Sequence, residues 1–162
     1  MNQRTTIPLI LCIVWWMPCL TLAQEHPASS SNSEHLLDGQ FKVVSKTDGI
    51  PANIKQAISE VTREAPFAMA DPGKKFQVTD VVHDRSLPRR RLVFAGVQGD
   101  TWFVHYERGG LAHGYFVVVF NAKAQEDVDF AWGCGIADAA NSMEQLRRMV
   151  ATCRLSGADA YW

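Results

Sequence analysis

Residues 101–121 read TWFVHYERGGLAHGYFVVVFN, and this stretch decides the fold. Two runs rich in Trp, Phe, Val and Tyr flank Gly109-Gly110, the pattern of a β-hairpin whose tight turn needs residues at positive φ. The second run, residues 115–120, is apolar at every position, as in a central strand covered on both faces. His105, Tyr106, Glu107, Arg108 and His113 crowd the turn end, where polar groups can meet.

Working outward, residues 76–84 alternate Phe76, Val78 and Val82 against Gln77, Thr79 and His83, which predicts a strand. Leu87-Pro88 turns the chain into a second strand at 89–97, and Gly99-Asp100 turns that one into the hairpin. Beyond the hairpin, residues 127–134 set Val128, Phe130 and Trp132 against Asp129, Ala131 and Gly133, as in an edge strand with one covered face. Connections this short force neighbouring strands to be antiparallel, so the array is a meander.

A helix is predicted on each side of the meander. Over 51–64, Pro51 suits the first helical position, and Ile54, Ala57, Ile58 and Val61 form one apolar stripe. Pro66 stops it, and Asp71-Pro72-Gly73 marks a turn in the loop that follows. The last helix starts at Asn141 or Ser142, where Ser142 and Gln145 fit a capping box. Met143, Leu146, Met149, Val150 and Cys153 share its apolar face, and Gly157 signals its end. Residues 41–45 suit a short extra strand. The expected architecture is α+β: an N-terminal helix, an antiparallel meander of four to five strands and a C-terminal helix. That order resembles cystatin-like and NTF2-like folds, which implies a helix lying against a curved antiparallel sheet and assigns no activity.

The N-terminus reads as a signal peptide over 1–23: a polar start carrying Arg4, the apolar core IPLILCIVWWM at 7–17, and Thr21-Leu22-Ala23 before the cut. The apolar run is shorter than the roughly 20 residues that span a bilayer, so no stable membrane span is expected after processing. Residues 24–38 are a Ser-rich, aperiodic flexible lead, in which His26 and His35 are solvated. Residues 39–162 then make one α+β domain. Of 16 basic and 17 acidic residues the leader removes only Arg4, leaving 15 against 17 and a charge of −2. Such a balance gives no general attraction to nucleic acid. The leader also carries off Cys12 and Cys19, so Cys134 and Cys153 remain; in an oxidising compartment they favour one disulfide joining the last strand to the last helix, with two buried thiols as the alternative.

The candidate sites depend on hairpin register. A two-residue loop at Gly109-Gly110 pairs Tyr106 with His113 and puts Trp102, Tyr106 and Tyr115 on one face, with Phe94, Phe103, Phe116 and Phe120 on the other. A three-residue loop sets Glu107 opposite His113, so that His105, Glu107 and His113 gather as an acid/base pair or half of a metal site. The plainer reading of that trio is a hydrogen-bonded polar patch at a sheet end. No nucleophile elbow or metal-binding helix motif is present, and neither a cofactor nor a metal is expected. The run Arg89-Arg90-Arg91 reads as solvated strand-end charge, with Asp80 and Asp84 opposite the arginines on the preceding strand.

If both helices pack on one face, the other is left for a ligand, a second copy of the chain in a homodimer, or a partner protein; otherwise the segment at Phe41 and the long loop cover it. The function expected is an exported, periplasmic or secreted, non-catalytic binding or accessory domain for a protein or envelope partner, inhibitor-like in kind. Its binding residues would be Trp102, Tyr106, Arg108 and Tyr115. The alternative is a small-ligand-binding or hydrolytic enzyme using His105, Glu107 and His113.

Overall fold

The computed structural model describes residues 35–82, 84–123 and 127–153. The leader, nearly all of the polar lead, His83 and Gly157 lie outside the described residues. Five strands form one antiparallel sheet in sequence order: β1 Lys42–Val44, β2 Arg90–Gln98, β3 Thr101–Arg108, β4 Gly114–Ala122 and β5 Val128–Ile136. Two helices accompany them, α1 Ala52–Thr62 and α2 Met143–Ala151. The class is α+β, and the short segment near Phe41 does form a strand.

The helices take opposite faces. Ile54, Ala57 and Ile58 of α1 are buried against Leu92, Val104, Tyr106, Val118 and Phe120. Leu146 and Val150 of α2 are buried against Phe94, Phe103, Val117, Val119 and Trp132 on the other side. Leu37, placed by sequence in the polar lead, is part of that second core, and Arg147 holds it by donating from Nε to its carbonyl at 2.8 Å. Phe41 adds an edge-on contact to Phe103 at 5.2 Å between ring centres. Burying each such Leu, Ile or Phe side chain stabilises by about 1.5–3 kcal/mol. With one helix on each face, the one-sided arrangement that would leave a whole sheet face uncovered is not adopted.

Two bulges explain why alternation misassigned side chains. Leu92 pairs with Tyr106 but Phe94 pairs with His105, so one extra residue sends Leu92 and Phe94 to opposite cores. Likewise Phe120 pairs with Phe130 and Val119 with Trp132, so Phe130 and Trp132 also face opposite ways. The expected grouping of Phe94 and Phe103 with Phe116 and Phe120 is corrected to two pairs, one on each face, because Tyr106 pairs with Phe116 and not with His113, an odd shift of register that turns β4 over relative to β3.

Residues 76–82 do not form a strand. The Gln77 side-chain amide donates to the carbonyls of Thr79 and Val81, coiling the chain back on itself and leaving Val78, Val81 and Val82 exposed. Without that strand, Asp80 and Asp84 do not stand across from the arginines as expected; Arg90 and Arg91 face Arg108 and Glu107 of β3 instead. Where β2 runs beyond its pairing with β1, its free side is met by an isolated parallel bridge, Ala70 to Arg91.

At the other end of the chain, Ser142 caps α2 by accepting from the Gln145 N–H at 3.2 Å, while the Gln145 side chain accepts from the N–H of Asn141 at 2.8 Å. Cys134 at the buried end of β5 is bonded to Cys153, two residues past α2, with the two Cα atoms 6.3 Å apart. Among the described residues no helix is long and apolar enough to cross a membrane.

Candidate functional site

The hairpin fits neither loop considered from sequence. Arg108 pairs with Gly114, Glu107 with Tyr115 and His105 with Val117, so residues 109–113 form a five-residue loop. The two glycines serve different needs. Gly110 sits at φ 103°, a conformation that side chains resist. Gly109 has no such φ; a Cβ there would lie 1.8 Å from the Gln77 carbonyl oxygen. Its N–H donates to the Arg89 carbonyl and that of Gly110 to the Val78 carbonyl. The loop is thereby docked onto the coiled segment after Phe76.

This register divides the polar groups between two faces. On the α2 side, Glu107 is 5% exposed and its two oxygens are both engaged. Arg91 donates to Oε2 from Nη2 at 2.5 Å and from Nε at 3.1 Å, and Nε2 of His113 lies 2.8 Å from Oε1. The Arg91 guanidinium also lies 4.5 Å from the ring centre of Phe76. Tyr115 is near, its ring 5.9 Å from that of His113; burial first, then the Glu107 charge, push its phenol up from the ordinary value.

His105 shares that face but is committed elsewhere. Its Nε2 accepts the Ala140 N–H at 3.0 Å, which requires the proton to sit on Nδ1, and Nδ1 donates to the Phe116 carbonyl at 3.0 Å. Burial lowers its pKa against the opposing pull of that carbonyl. A neutral histidine with both nitrogens in backbone bonds ties β3 to the lead into α2, and has no lone pair left for a metal or a proton transfer. The structure therefore brings Glu107 and His113 together and leaves His105 out. Among the described residues no group of three or more His, Cys, Asp or Glu side chains is gathered for a metal ion.

On the α1 side, Tyr106 is fully buried, which pushes its phenol up to about 12. Arg90, 3% exposed, pairs with Glu64 just past α1, and its guanidinium lies 5.7 Å from the Tyr106 ring centre. Arg108 stands directly opposite Arg90. Of the four binding residues expected, Trp102 is partly buried in the α1 core toward the far end of β3, Tyr106 is inside it and Tyr115 is on the other face. They share no surface. Arg108 alone reaches an opening.

That opening is a cleft of about 350 Å³ at the hairpin end. One wall comes from the coiled segment (Gln77, Asp80, Val82) and the other from the end of β3 and the loop (Arg108, Leu111), with Arg89 alongside. Its rim is unusually apolar for a surface. Five large hydrophobic residues are exposed among those described, and four of them, Val78, Val81, Val82 and Leu111, belong to these two segments. Leu111 is 95% exposed. The sequence carries a signal for this wall in Val78 and Val82, whose spacing also fits strand alternation. No protein-family model, curated protein or solved structure matches the chain.

Proposed function

We propose that the chain is an exported, non-catalytic binding domain that holds a segment of a partner protein in the cleft at the hairpin end. The observation that carries this is that the exposed Val82 and Leu111 line one opening, with the exposed Val78 and Val81 on the same segment as Val82, while each sheet face carries a helix. Exposed apolar patches of this kind cost solubility and mark interaction sites. The leader-like N-terminus and the Cys134–Cys153 bond support export, and the inhibitor-like or envelope-associated role belongs with this reading. The binding surface moves from the aromatic set Trp102, Tyr106 and Tyr115 to the loop and the valine segment, with Arg108 common to both.

The catalytic alternative has one feature in its favour, a histidine oriented by a buried carboxylate, His113 on Glu107. It is the weaker reading because both Glu107 oxygens and both His105 nitrogens are already bonded, and neither residue is among those lining the cleft.

Selection of a random dodecapeptide display library on the oxidised, processed protein tests the proposal. Recovered peptides should lose binding to Leu111→Asp and Val82→Asp variants and keep it for Val43→Asp, an exposed valine lining a separate pocket near the start of α2. Peptides indifferent to Leu111→Asp, or equally lost with Val43→Asp, would place binding elsewhere.

A further inference from the structure

We infer that the segment held in this cleft carries an acidic side chain, and that Arg108 is the residue that receives it. This rests on the docking reading above and adds the chemistry of the partner. The charges at this end of the sheet form two cross-strand rows. In one, Arg91 faces Glu107 and the pair is closed. In the other, Arg90 faces Arg108, two like charges set directly opposite, which destabilises a sheet unless each finds a counter-charge. Arg90 has Glu64. Among the described residues no carboxylate lies within ion-pairing distance of Arg108, and its Nη1 is buried with no hydrogen-bond partner. One nitrogen of this guanidinium is already desolvated by the fold, so a carboxylate that meets it from the cleft gains a charge-assisted bond at a reduced desolvation cost.

The cleft also selects among anions. A phosphate or a chain-terminal carboxylate is usually received by a nest of backbone N–H groups. Here the N–H groups of Gly109 and Gly110 are spent on the Arg89 and Val78 carbonyls. The Asp80 carboxylate beside Gly110 places a negative charge in the same wall, which opposes a dianion more strongly than a single charge. Val82 and Leu111 flank the arginine and call for apolar neighbours. A side-chain carboxylate of Asp or Glu, within an extended peptide and bordered by apolar residues, meets all three conditions.

The peptides recovered from the dodecapeptide library provide the probe. They should share an Asp or Glu next to apolar residues. Changing that residue to its amide should weaken binding by about tenfold or more, the scale of one charge-assisted hydrogen bond. The Arg108→Gln protein should bind the acidic and the amide peptides alike, at the weakened level, and Arg108→Lys should recover part of the difference. A thermal melt checks that Arg108→Gln is folded, and Arg89→Gln separates the Arg108 guanidinium from general positive charge. Peptides that depend on Leu111 but are indifferent to amidation would overturn the acidic assignment and leave the docking site standing. Peptides indifferent to Leu111 would remove both. Equal losses from Arg89→Gln and Arg108→Gln would mean diffuse attraction and would also overturn it.

Discussion

The two turns that bound β3 are built from similar letters and do different things. At one end Gly99-Asp100 joins β2 to β3 with Gln98 opposite Thr101, a two-residue loop with Gly99 at φ 56° and open space around it. At the other end Gly109-Gly110 begins a five-residue loop, and its first glycine is required by the backbone packed against it rather than by its own φ. The first turn simply reverses the chain. The second is pressed onto a neighbouring segment, and the cleft, Arg108 and four of the five exposed large hydrophobic residues among those described lie there. A glycine pair in a sequence reports that a side chain is unwelcome, without saying whether φ or a neighbour excludes it.

Substitution separates the two causes. Gly109→Ala should be the most damaging single change at either turn, because the Cβ must displace the backbone of Gln77, and forced repacking of this sort costs about 3 kcal/mol. Gly99→Ala meets no atom and pays only for its left-handed φ, about 1 kcal/mol. Gly110→Ala should fall close to Gly99→Ala, since it too has a positive φ with only the Asp80 side chain nearby. Urea melts of the three variants rank them. Equal losses at positions 99 and 109 would erase the distinction.

The same distinction shows how much was legible in the sequence. The positions of β2 to β5 and both helices follow from apolar runs and caps, which are local, and they were read within a few residues. The Cys134–Cys153 bond was also readable, since strand end and helix stripe put the two sulfurs within reach. Register was not. The five-residue loop and the bulges at Leu92/Phe94 and Val119/Phe120 are set by what packs on each face, so counting by twos put Tyr115 beside Tyr106 when it lies across the sheet. The stretch at 76–84 failed for a related reason. Its alternation is genuine, but Gln77 satisfies the neighbouring carbonyls internally, so the segment needs no strand partner. The candidate site is thus half visible in the sequence: Arg108 stands out there, while the cleft it lines requires the tertiary contacts.

His105 carries the comparison into pH. It lies on the same strand between the two turns, and its folded pKa is depressed, mainly by burial. The unfolded chain therefore binds more protons than the folded one below the ordinary histidine value of about 6.5. Stability from this group is full above that value and is lost as pH falls toward the folded pKa, with a slope of at most about 1.4 kcal/mol per pH unit. Denaturant midpoints between pH 7 and pH 5 should fall in the native protein and fall less in His105→Gln. The His113→Gln variant is the comparison, because it alters the loop and leaves the bonds of His105 to Ala140 and Phe116 in place. If His113→Gln flattened the profile and His105→Gln did not, the acid response would belong to the loop rather than to the buried tie between β3 and α2.

The smallest effect expected is the most discriminating. Arg108 closes β3 at the loop end opposite Arg90, whereas the strand's other end has the neutral Thr101 between Gln98 and Asn121. Removing a charge from a like-charged cross-strand pair should leave stability unchanged or raise it by up to about 0.5 kcal/mol. Most substitutions of a partly buried residue destabilise, so a neutral or positive result for Arg108→Gln would itself be unusual. It would mean that the fold carries this arginine at a cost, which is expected of a group kept for a ligand and not of one kept for packing. A loss of more than about 1 kcal/mol would show instead that Arg108 holds the loop in place, since losses of that size have structural causes. In that case the difference between the two turns would be one of architecture only, and the cleft would lose the residue on which its selectivity for acidic peptides depends.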